Sequence, residues 1–289
     1  MPVTGRTEPL RLAPLTDEHA DDGFRLSTEA GWNQTVADWR AMLRIGEGWG
    51  RFTAKGQLVA SALVLPYGGR VGWIAMVLVA VRYRHQGLGT AMMAHALQRC
   101  EQLGLSAALD ATPEGRRVYR PLGFTDLFPL QRLQTTRSRL RVVEVEGVSI
   151  REIGERDLER VIRLDAEVFG VPRDEVMRHC MAAQPKRALA AKRAGRLLGF
   201  VFARRGRQSL HIGPVSADKT EIAQALVSRA VNGAKGPVTI DVLDHQERFQ
   251  AWLTSHGFLP VRPFMRMLRG IGELGQPARS FAITGPEFG

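Results

Sequence analysis

Apolar and polar residues follow one another along the chain in a succession that predicts alternating strands and helices. Leu10 to Leu15 alternates apolar and polar positions, which is typical of a strand with one buried face. The unbroken apolar run from Val77 to Val81 predicts a strand that is buried on both faces. After the polar residues Arg82 to Gln86, apolar residues recur at helical spacing as far as Leu103. The pattern is that of an α/β protein with a sheet flanked by helices.

Capping residues and glycines predict where several of these elements begin and end. Thr16 is placed to cap a helix that follows the first strand, Gly31 interrupts that helix, and Thr35 or Asp38 could cap its second piece. Gly56 predicts a tight turn between strands over residues 50–54 and 58–65. Gly104 stops the helix that runs through residue 103.

The stretch between the buried strand and that helix reads Arg84-x-x-Gly87-x-Gly89. The first turn of a helix has backbone N–H groups without an intrahelical partner, and residues without a Cβ let an anion approach them closely. The helix dipole adds a positive end, so the stretch predicts a phosphate cradle. A Rossmann pattern needs a third glycine where Met92 stands, and a P-loop needs a Gly-Lys-Ser/Thr run that is absent. For this stretch alone, an ordinary glycine turn is the alternative.

The same stretch resembles the coenzyme A pyrophosphate loop of the GCN5-related N-acetyltransferases, abbreviated GNAT. A second element stands about 30 residues later, where Tyr119-Arg-Pro-Leu-Gly-Phe124 resembles the closing part of a GNAT domain. In that family the Tyr five residues before the Phe faces the cofactor thiol. The resemblance covers residues 8 to about 136 and implies a mixed, mostly antiparallel sheet flanked by helices.

The resemblance also implies acetyl-CoA as the cosubstrate, with its pantetheine arm along the strand and its pyrophosphate on the loop. No metal is expected. The implied cofactor-binding residues are Val77, Leu78, Val79, Arg84, His85, Gln86, Gly87, Leu88, Gly89 and Thr90.

Three residues are candidates for proton transfer. The resemblance makes Tyr119 the general acid for the leaving thiolate, because a phenol can donate a proton or a hydrogen bond; the alternative is a ring that packs under the cofactor or in the core. Glu29 and Asp110 are the acidic residues considered as the base. Either carboxylate could instead cap a backbone group, pair with an arginine or attract a cation, and water could carry the proton.

The loop with Trp32, Asn33 and Gln34 corresponds to the border of the acceptor pocket in GNAT folds. An aromatic ring beside two amides could hold a small polar acceptor, although a tryptophan that anchors helix packing is an equal alternative. We expect the acceptor to be an amine of a small molecule or a peptide.

The second half of the chain repeats the first in outline, which predicts domains at 1–136 and 148–289 joined by a linker at 137–147. The helix start in the second half carries Asp218 and Glu221 in place of the glycine loop, and carboxylates there repel a pyrophosphate. Leu253 stands where Tyr119 would be expected. The ending around Gly257-Phe258 resembles the C-terminal GNAT domain of two-domain bacterial acetyltransferases of the YitH type. We therefore expect a tandem GNAT chain whose second copy has lost cofactor binding.

Composition adds limits on class and compartment. The 289 residues suit two domains, and Cys100 and Cys180 have neither metal-site nor disulfide spacing. No signal peptide or membrane span is expected, so we expect a cytoplasmic protein. The formal net charge of +11 raises nucleic-acid binding as a possibility, but the basic residues are scattered and a solvated surface is favoured. A non-catalytic acyl-CoA-binding module is the second functional hypothesis, and the oligomeric state is open.

Overall fold

The computed structural model describes residues 9–270 and 272–289, in which eight α-helices, thirteen strands and several short 3-10 turns are found. The helices are α1 (Ala20–Glu29), α2 (Val36–Ile45), α3 (Leu88–Gln102), α4 (Pro113–Tyr119), α5 (Glu155–Phe169), α6 (Asp174–Ala183), α7 (Thr220–Val231) and α8 (Glu247–Ser255). The strands are β1 (Arg11–Leu15), β2 (Glu47–Phe52), β3 (Leu58–Tyr67), β4 (Val71–Val79), β5 (Ser106–Ala111), β6 (Thr125–Thr135), β7 (Ser149–Glu152), β8 (Leu189–Arg193), β9 (Arg196–Arg205), β10 (Leu210–Ala217), β11 (Val238–Leu243), β12 (Leu259–Arg269) and β13 (Ser280–Ala282).

The order of elements repeats once along the chain. From β1 to β6 it is strand, two helices, three strands, helix, strand, helix and strand, and the same order runs from β7 to β12. We call these the first and second copies. The predicted internal repeat is confirmed in its element order, and β13 follows the second copy as an additional strand.

Local signals in the sequence account for several boundaries. The Thr35 hydroxyl accepts the Asp38 N–H at 3.2 Å, and the Asp38 carboxylate accepts the Thr35 N–H at 2.8 Å, which caps α2 as predicted. Gly31 has a φ of +73° just after α1. The strand predicted to reach Val81 ends at Val79 instead. Val81 opens a 3-10 turn, and its N–H is bound by a side chain rather than by a neighbouring strand.

One compact unit consists of the described residues up to Leu65, which begin at residue 9, together with Ile74–Gly104. Its strands lie in the order β1, β2, β3, β4, with β2 antiparallel to both β1 and β3. Trp39 of α2 is fully buried, and a Cβ atom on Gly23 of α1 would lie 2.4 Å from its ring. The glycine therefore lets α1 pack directly on the indole.

The other compact unit consists of Pro66–Trp73 and Leu105–Gly289. Its strands lie in the order β5, β12, β6, β11, β13, β10, β9, β8, β7. The first three residues of β4, Val71–Trp73, pair in parallel with β5. Apolar side chains fill the core on the β8 to β11 side, among them Phe249 and Phe258, which are fully buried.

The last strand of each copy lies beside the fifth strand of the other copy. β6 of the first copy is antiparallel to β11, and β12 of the second copy is antiparallel to β5. β6 and β12 are also antiparallel neighbours of each other. Strands from both predicted domains thus fall in one compact unit, and the division at 137–147 stays a prediction about the repeat.

The segment predicted as a linker forms hydrogen bonds with α7 and with Asn232, the residue that follows it. The Leu140 N–H donates to Asn232 Oδ1 at 2.7 Å, and the Val143 N–H donates to Ser228 Oγ at 3.2 Å. Arg229 of the same helix donates to the Val143 carbonyl at 2.8 Å. These bonds satisfy the backbone of a segment that has no ladder partner.

Candidate functional site

The end of β4 carries a backbone irregularity just before the residues predicted to bind a cofactor. Met76 is buried and has a φ of +51°, which is unusual for a residue other than glycine. Its carbonyl accepts the Ser61 hydroxyl at 2.8 Å, so the turn in the strand is held by a side chain of β3. Beyond it Leu78 is buried, whereas Val77 and Val79 are partly exposed. An irregularity of this kind re-aims the strand at the point where a ligand is expected.

The loop after β4 is tied back to the strand by Arg84. The Arg84 Nε donates to the Val79 carbonyl at 3.1 Å, and the Gln86 side chain lies 3.5 Å from the Arg82 carbonyl. His85 has a φ of +60° and Gly87 a φ of +76° as the residue that precedes α3. The loop therefore turns sharply into the helix on two left-handed residues.

The amide N–H groups of residues 85–90 have no acceptor within the described parts of the chain. They belong to the loop and to the first turn of the fifteen-residue helix α3, where such groups are unpaired by geometry. A Cβ on Gly87 would meet nothing within 4 Å, and one on Gly89 would meet only a methyl of Val79 at 3.7 Å. The loop therefore combines unpaired amides with open space at both glycines, and the phosphate cradle at Arg84 to Thr90 stays a prediction.

Within residues 9–270 and 272–289, no three His, Cys, Asp or Glu side chains are grouped so that they could hold a metal ion. The same residues contain no helix that is both long and apolar enough to cross a bilayer.

Glu29 lies at the end of α1, beside the start of the loop. Its Oε1 accepts the Val81 N–H at 2.7 Å. The carboxylate is exposed and caps a backbone group, which is one of the alternatives considered from the sequence. The contact links α1 to the loop that carries the unpaired amides.

The predicted acceptor residues form the connection between α1 and α2 in the same compact unit. Trp32 and Asn33 are partly exposed, and the Trp32 N–H donates to the Ser27 carbonyl at 2.8 Å. Gln34 is 7% exposed, and its buried Oε1 has no hydrogen-bond donor among the described residues. A buried amide oxygen without a donor is costly, so a ligand N–H there would relieve the cost.

Tyr119 is the last residue of α4 in the other compact unit. Its ring lies 6.0 Å from that of Phe124, measured between centroids. A Cβ atom on Gly115 would come within 2.9 Å of the ring, so the glycine makes room for it. Burial raises the pKa of Tyr119 to about 12, and the phenol is neutral over the physiological range.

Asp110 is bound on both carboxylate oxygens by an arginine that sequence reasoning missed. Arg266 Nε and Nη2 of β12 each donate to Asp110 at 2.8 Å, and both side chains are almost completely buried. The Arg266 guanidinium also lies over the rings of Trp73 and Phe128, at 4.8 Å and 5.4 Å from their centroids. Burial raises the pKa of Asp110, and the arginine opposes that shift. The geometry is that of a structural ion pair, another alternative considered for this residue.

A matching pair joins the last strand of the first copy to the fifth strand of the second. Arg132 of β6 donates twice to Asp241 of β11 at 2.7 Å. Arg132 stands eight residues after Phe124, and Arg266 stands eight residues after Phe258. This repeated Phe-to-Arg spacing is the only signal in the sequence that could have pointed to the pairs. Asp241 belongs to the copy that has no glycine loop. Since the same kind of pair occurs there, we assign both pairs to the packing of the exchanged strands and not to catalysis.

The helix start of the second copy differs as the sequence indicated. Asp218 lies before α7, where it pairs with Arg279 at 2.8 Å and with Arg196 at 3.5 Å. Leu253, which stands where a tyrosine would be expected, is fully buried in the core.

Comparisons with known proteins agree with this arrangement. Residues 14–124 match the model of the acetyltransferase (GNAT) family, and residues 161–280 match that of an acetyltransferase (GNAT) domain. The chain is 24% identical over 250 residues to the uncharacterised N-acetyltransferase YitH of Bacillus subtilis (strain 168), which covers 86% of this chain and 87% of that protein.

Solved structures show the same fold over nearly the whole chain. A Pyrococcus horikoshii protein assigned as an acetyltransferase superposes with a TM-score of 0.79 at 18% identity, over 98% of this chain and 97% of that one. A tandem GNAT protein from the clavulanic acid biosynthesis pathway superposes with a TM-score of 0.64 at 16% identity, over 92% of this chain and 100% of that one. With two GNAT regions that together match most of its length, the chain belongs to the GCN5-related N-acetyltransferase family.

Proposed function

We propose that this chain is an acetyl-CoA-dependent N-acetyltransferase whose acceptor is an amine of a small molecule or a peptide, and that its first copy holds the cosubstrate. The observation that carries the proposal is the row of unpaired amides at residues 85–90, in front of a helix start whose two glycines leave the space open. Such a row binds a diphosphate through hydrogen bonds and the helix dipole.

The strand before the loop offers backbone groups for the rest of the cosubstrate. β4 pairs with β5 only over Val71–Trp73. For the rest of β4, the only neighbouring strand among the described residues is β3. Backbone groups of Val77 and the N–H of Val79 are therefore proposed to pair with an amide-bearing arm, since the Val79 carbonyl already accepts from Arg84 Nε. Arg84 adds a positive charge at the end of the strand. Bound acetyl-CoA supplies a thioester that the acceptor amine attacks, with coenzyme A leaving as a thiolate.

Tyr119 is proposed to stabilise that thiolate by hydrogen bonding. A free thiol has a pKa near 8.5, while burial raises the pKa of Tyr119 to about 12. Complete proton transfer from the phenol to the thiolate would therefore be uphill by a few kcal/mol. A neutral phenol that donates a hydrogen bond avoids this cost and still lowers the energy of the developing negative charge.

Glu29 is proposed as the residue that receives the proton of the amine, directly or through water. One of its oxygens binds the Val81 N–H, and the other has no donor among the residues the structure describes. Asp110 is left out of this role because Arg266 occupies both of its oxygens. Trp32, Asn33 and Gln34 are proposed to border the acceptor, with the unpaired Gln34 Oε1 accepting an acceptor N–H.

Calorimetric titration with acetyl-CoA tests the proposal, with the variant Gly89→Glu as the perturbation. Gly89 is the second residue of α3, so a glutamate there is compatible with the helix dipole but repels a diphosphate. We expect the wild-type chain to bind and the variant to lose at least tenfold in affinity. Gln98→Glu makes the same change of charge on an exposed position of the same helix and should leave binding intact.

An acceptor screen that records free thiol separates an enzyme from a non-catalytic acyl-CoA-binding module. Turnover with any primary amine supports the enzyme, and binding without turnover across the screen supports the module. Lack of acetyl-CoA binding by the wild-type chain would refute both.

A further inference from the structure

In the second copy, two parallel strands separate and another part of the chain enters between them. β10 pairs with β11 over Leu210–Ile212 only. Beyond that point β13 lies between them, with Ala282 facing Val215 of β10 on one side and Val242 of β11 on the other. We call residues 280–289 the gap segment.

Main-chain contacts hold the gap segment in this position. The Ile283 N–H donates to the Asp241 carbonyl at 3.0 Å, and the Ile283 carbonyl accepts from His211 Nε2 at 3.2 Å. A Cβ atom on Gly213 would lie 1.9 Å from the Ile283 carbonyl oxygen. Only a glycine in β10 allows so close an approach, so the strand is shaped to accept the segment.

Side chains on both sides of Ile283 anchor the segment in the core. Phe281 is buried, with its ring edge-on to that of Phe249 at 5.3 Å. Phe288 is fully buried, and Arg173 Nη1 donates to its carbonyl at 3.0 Å. Arg204 pairs with Glu287 within the same buried region. Burying two phenylalanines contributes several kcal/mol of stability.

The first copy has the same parallel register without an inserted strand. β4 pairs with β5 over Val71–Trp73, which is also a register of three residues. Among the described strands, none is inserted between β4 and β5 in the way that β13 is inserted between β10 and β11. Under the proposed function this part of β4 receives the pantetheine arm. An extended peptide and a pantetheine arm share the feature that matters for such a groove, which is a narrow chain with regularly spaced amide groups.

We propose that the gap segment is an internal ligand that permanently fills the acyl-CoA groove of the second copy, so that the chain has one acyl-CoA site rather than two. The inference rests on the proposed function for the location of the first site. It also accounts for the change of the α7 start to Asp218 and Glu221, because a filled groove does not need a phosphate cradle.

Two measurements on the full chain test the inference. Calorimetry with acetyl-CoA should give one site per chain, and Gly89→Glu in the first copy should weaken that site at least tenfold and reveal no second site of wild-type affinity, with Gln98→Glu as the charge-matched control. Hydrogen exchange should show the Ile283 amide as slow as amides of β11, both without ligand and at saturating acetyl-CoA.

Each result separates the inference from the function on which it rests. Two sites per chain, a site of wild-type affinity in Gly89→Glu, or loss of Ile283 protection on adding acetyl-CoA would overturn the inference. If the wild-type chain binds no acetyl-CoA, the proposed function fails. The exchange rate of Ile283 then still decides whether the groove is filled, since exchange as fast as in an exposed loop would overturn that part as well.

Discussion

Replacing Asp110 by asparagine removes the charge that faces Arg266 and keeps the shape of the side chain. Arg266 is 5% exposed and lies over the rings of Trp73 and Phe128, so water cannot replace the lost carboxylate. A buried ion pair broken on one side costs about 3–5 kcal/mol. Because folded chains are commonly stable by only about 5–15 kcal/mol, Asp110→Asn should remove about a fifth of the stability or more.

Urea unfolding followed by circular dichroism measures this change, with Asp241→Asn as the matched variant in the second copy. Its partner Arg132 is 15% exposed, so we expect a similar or slightly smaller loss. The double variant Asp110→Leu with Arg266→Met should recover much of the lost stability, because a well-packed apolar pair removes the unpaired charge.

The same variants separate a structural role of Asp110 from a catalytic one. If the pair is structural, turnover per folded molecule falls by less than about threefold in Asp110→Asn and Asp241→Asn alike. An unfolding free energy within about 1 kcal/mol of wild type would refute the reasoning from burial. Loss of turnover in Asp110→Asn alone, at unchanged stability, would make Asp110 the base after all.

Three further predictions follow from other contacts. Tyr119→Phe should keep acetyl-CoA affinity and lose turnover, by about 10–100-fold for one hydrogen bond of roughly 1.4–2.7 kcal/mol, and steady-state kinetics with unchanged turnover would remove Tyr119 from the mechanism. Arg116 and Arg120 hold the pKa of Asp126 at about 2, below the 3.8 of an unfolded aspartate. The unfolded chain therefore binds more protons, and stability falls as pH drops through that window. The free energy of unfolding, measured at several pH values from 2 to 5, should change less with pH in Asp126→Asn than in the wild-type chain. Gly213→Ala forces a Cβ into the Ile283 carbonyl and should cost about 1–3 kcal/mol by urea unfolding, whereas Gly154→Ala, which meets nothing within 4 Å, should cost little.

The sequence was informative where chemistry depends on neighbouring residues. The loop from Arg84 to Gly89, the cap at Thr35 and the repeated order of elements could be predicted, because each is set by local geometry and by residues without a Cβ or with a capping side chain.

Long-range pairings were not predictable. An exchanged strand has the same alternation as a strand that stays in its own copy, so nothing in β6 or β12 indicates its partner. The pairing of Asp110 with Arg266 is likewise a consequence of that exchange. The segment around Ile283 reads as an ordinary apolar strand, and only the sheet order reveals that it separates β10 from β11.

Strand exchange also determines when the chain can fold during synthesis. Asp110 and Arg266 are 156 positions apart, and a ribosome adds roughly 5–20 residues per second. β12 is therefore synthesised roughly 8–30 s after β5, and the edge of β5 that pairs with β12 stays unpaired during that interval. During that time it offers unpaired main-chain groups to any other strand, including the β12 of a neighbouring nascent chain. We therefore expect exchange of β12 between neighbouring nascent chains to be the characteristic misassembly of this fold, and its yield to rise with the density of ribosomes on one message.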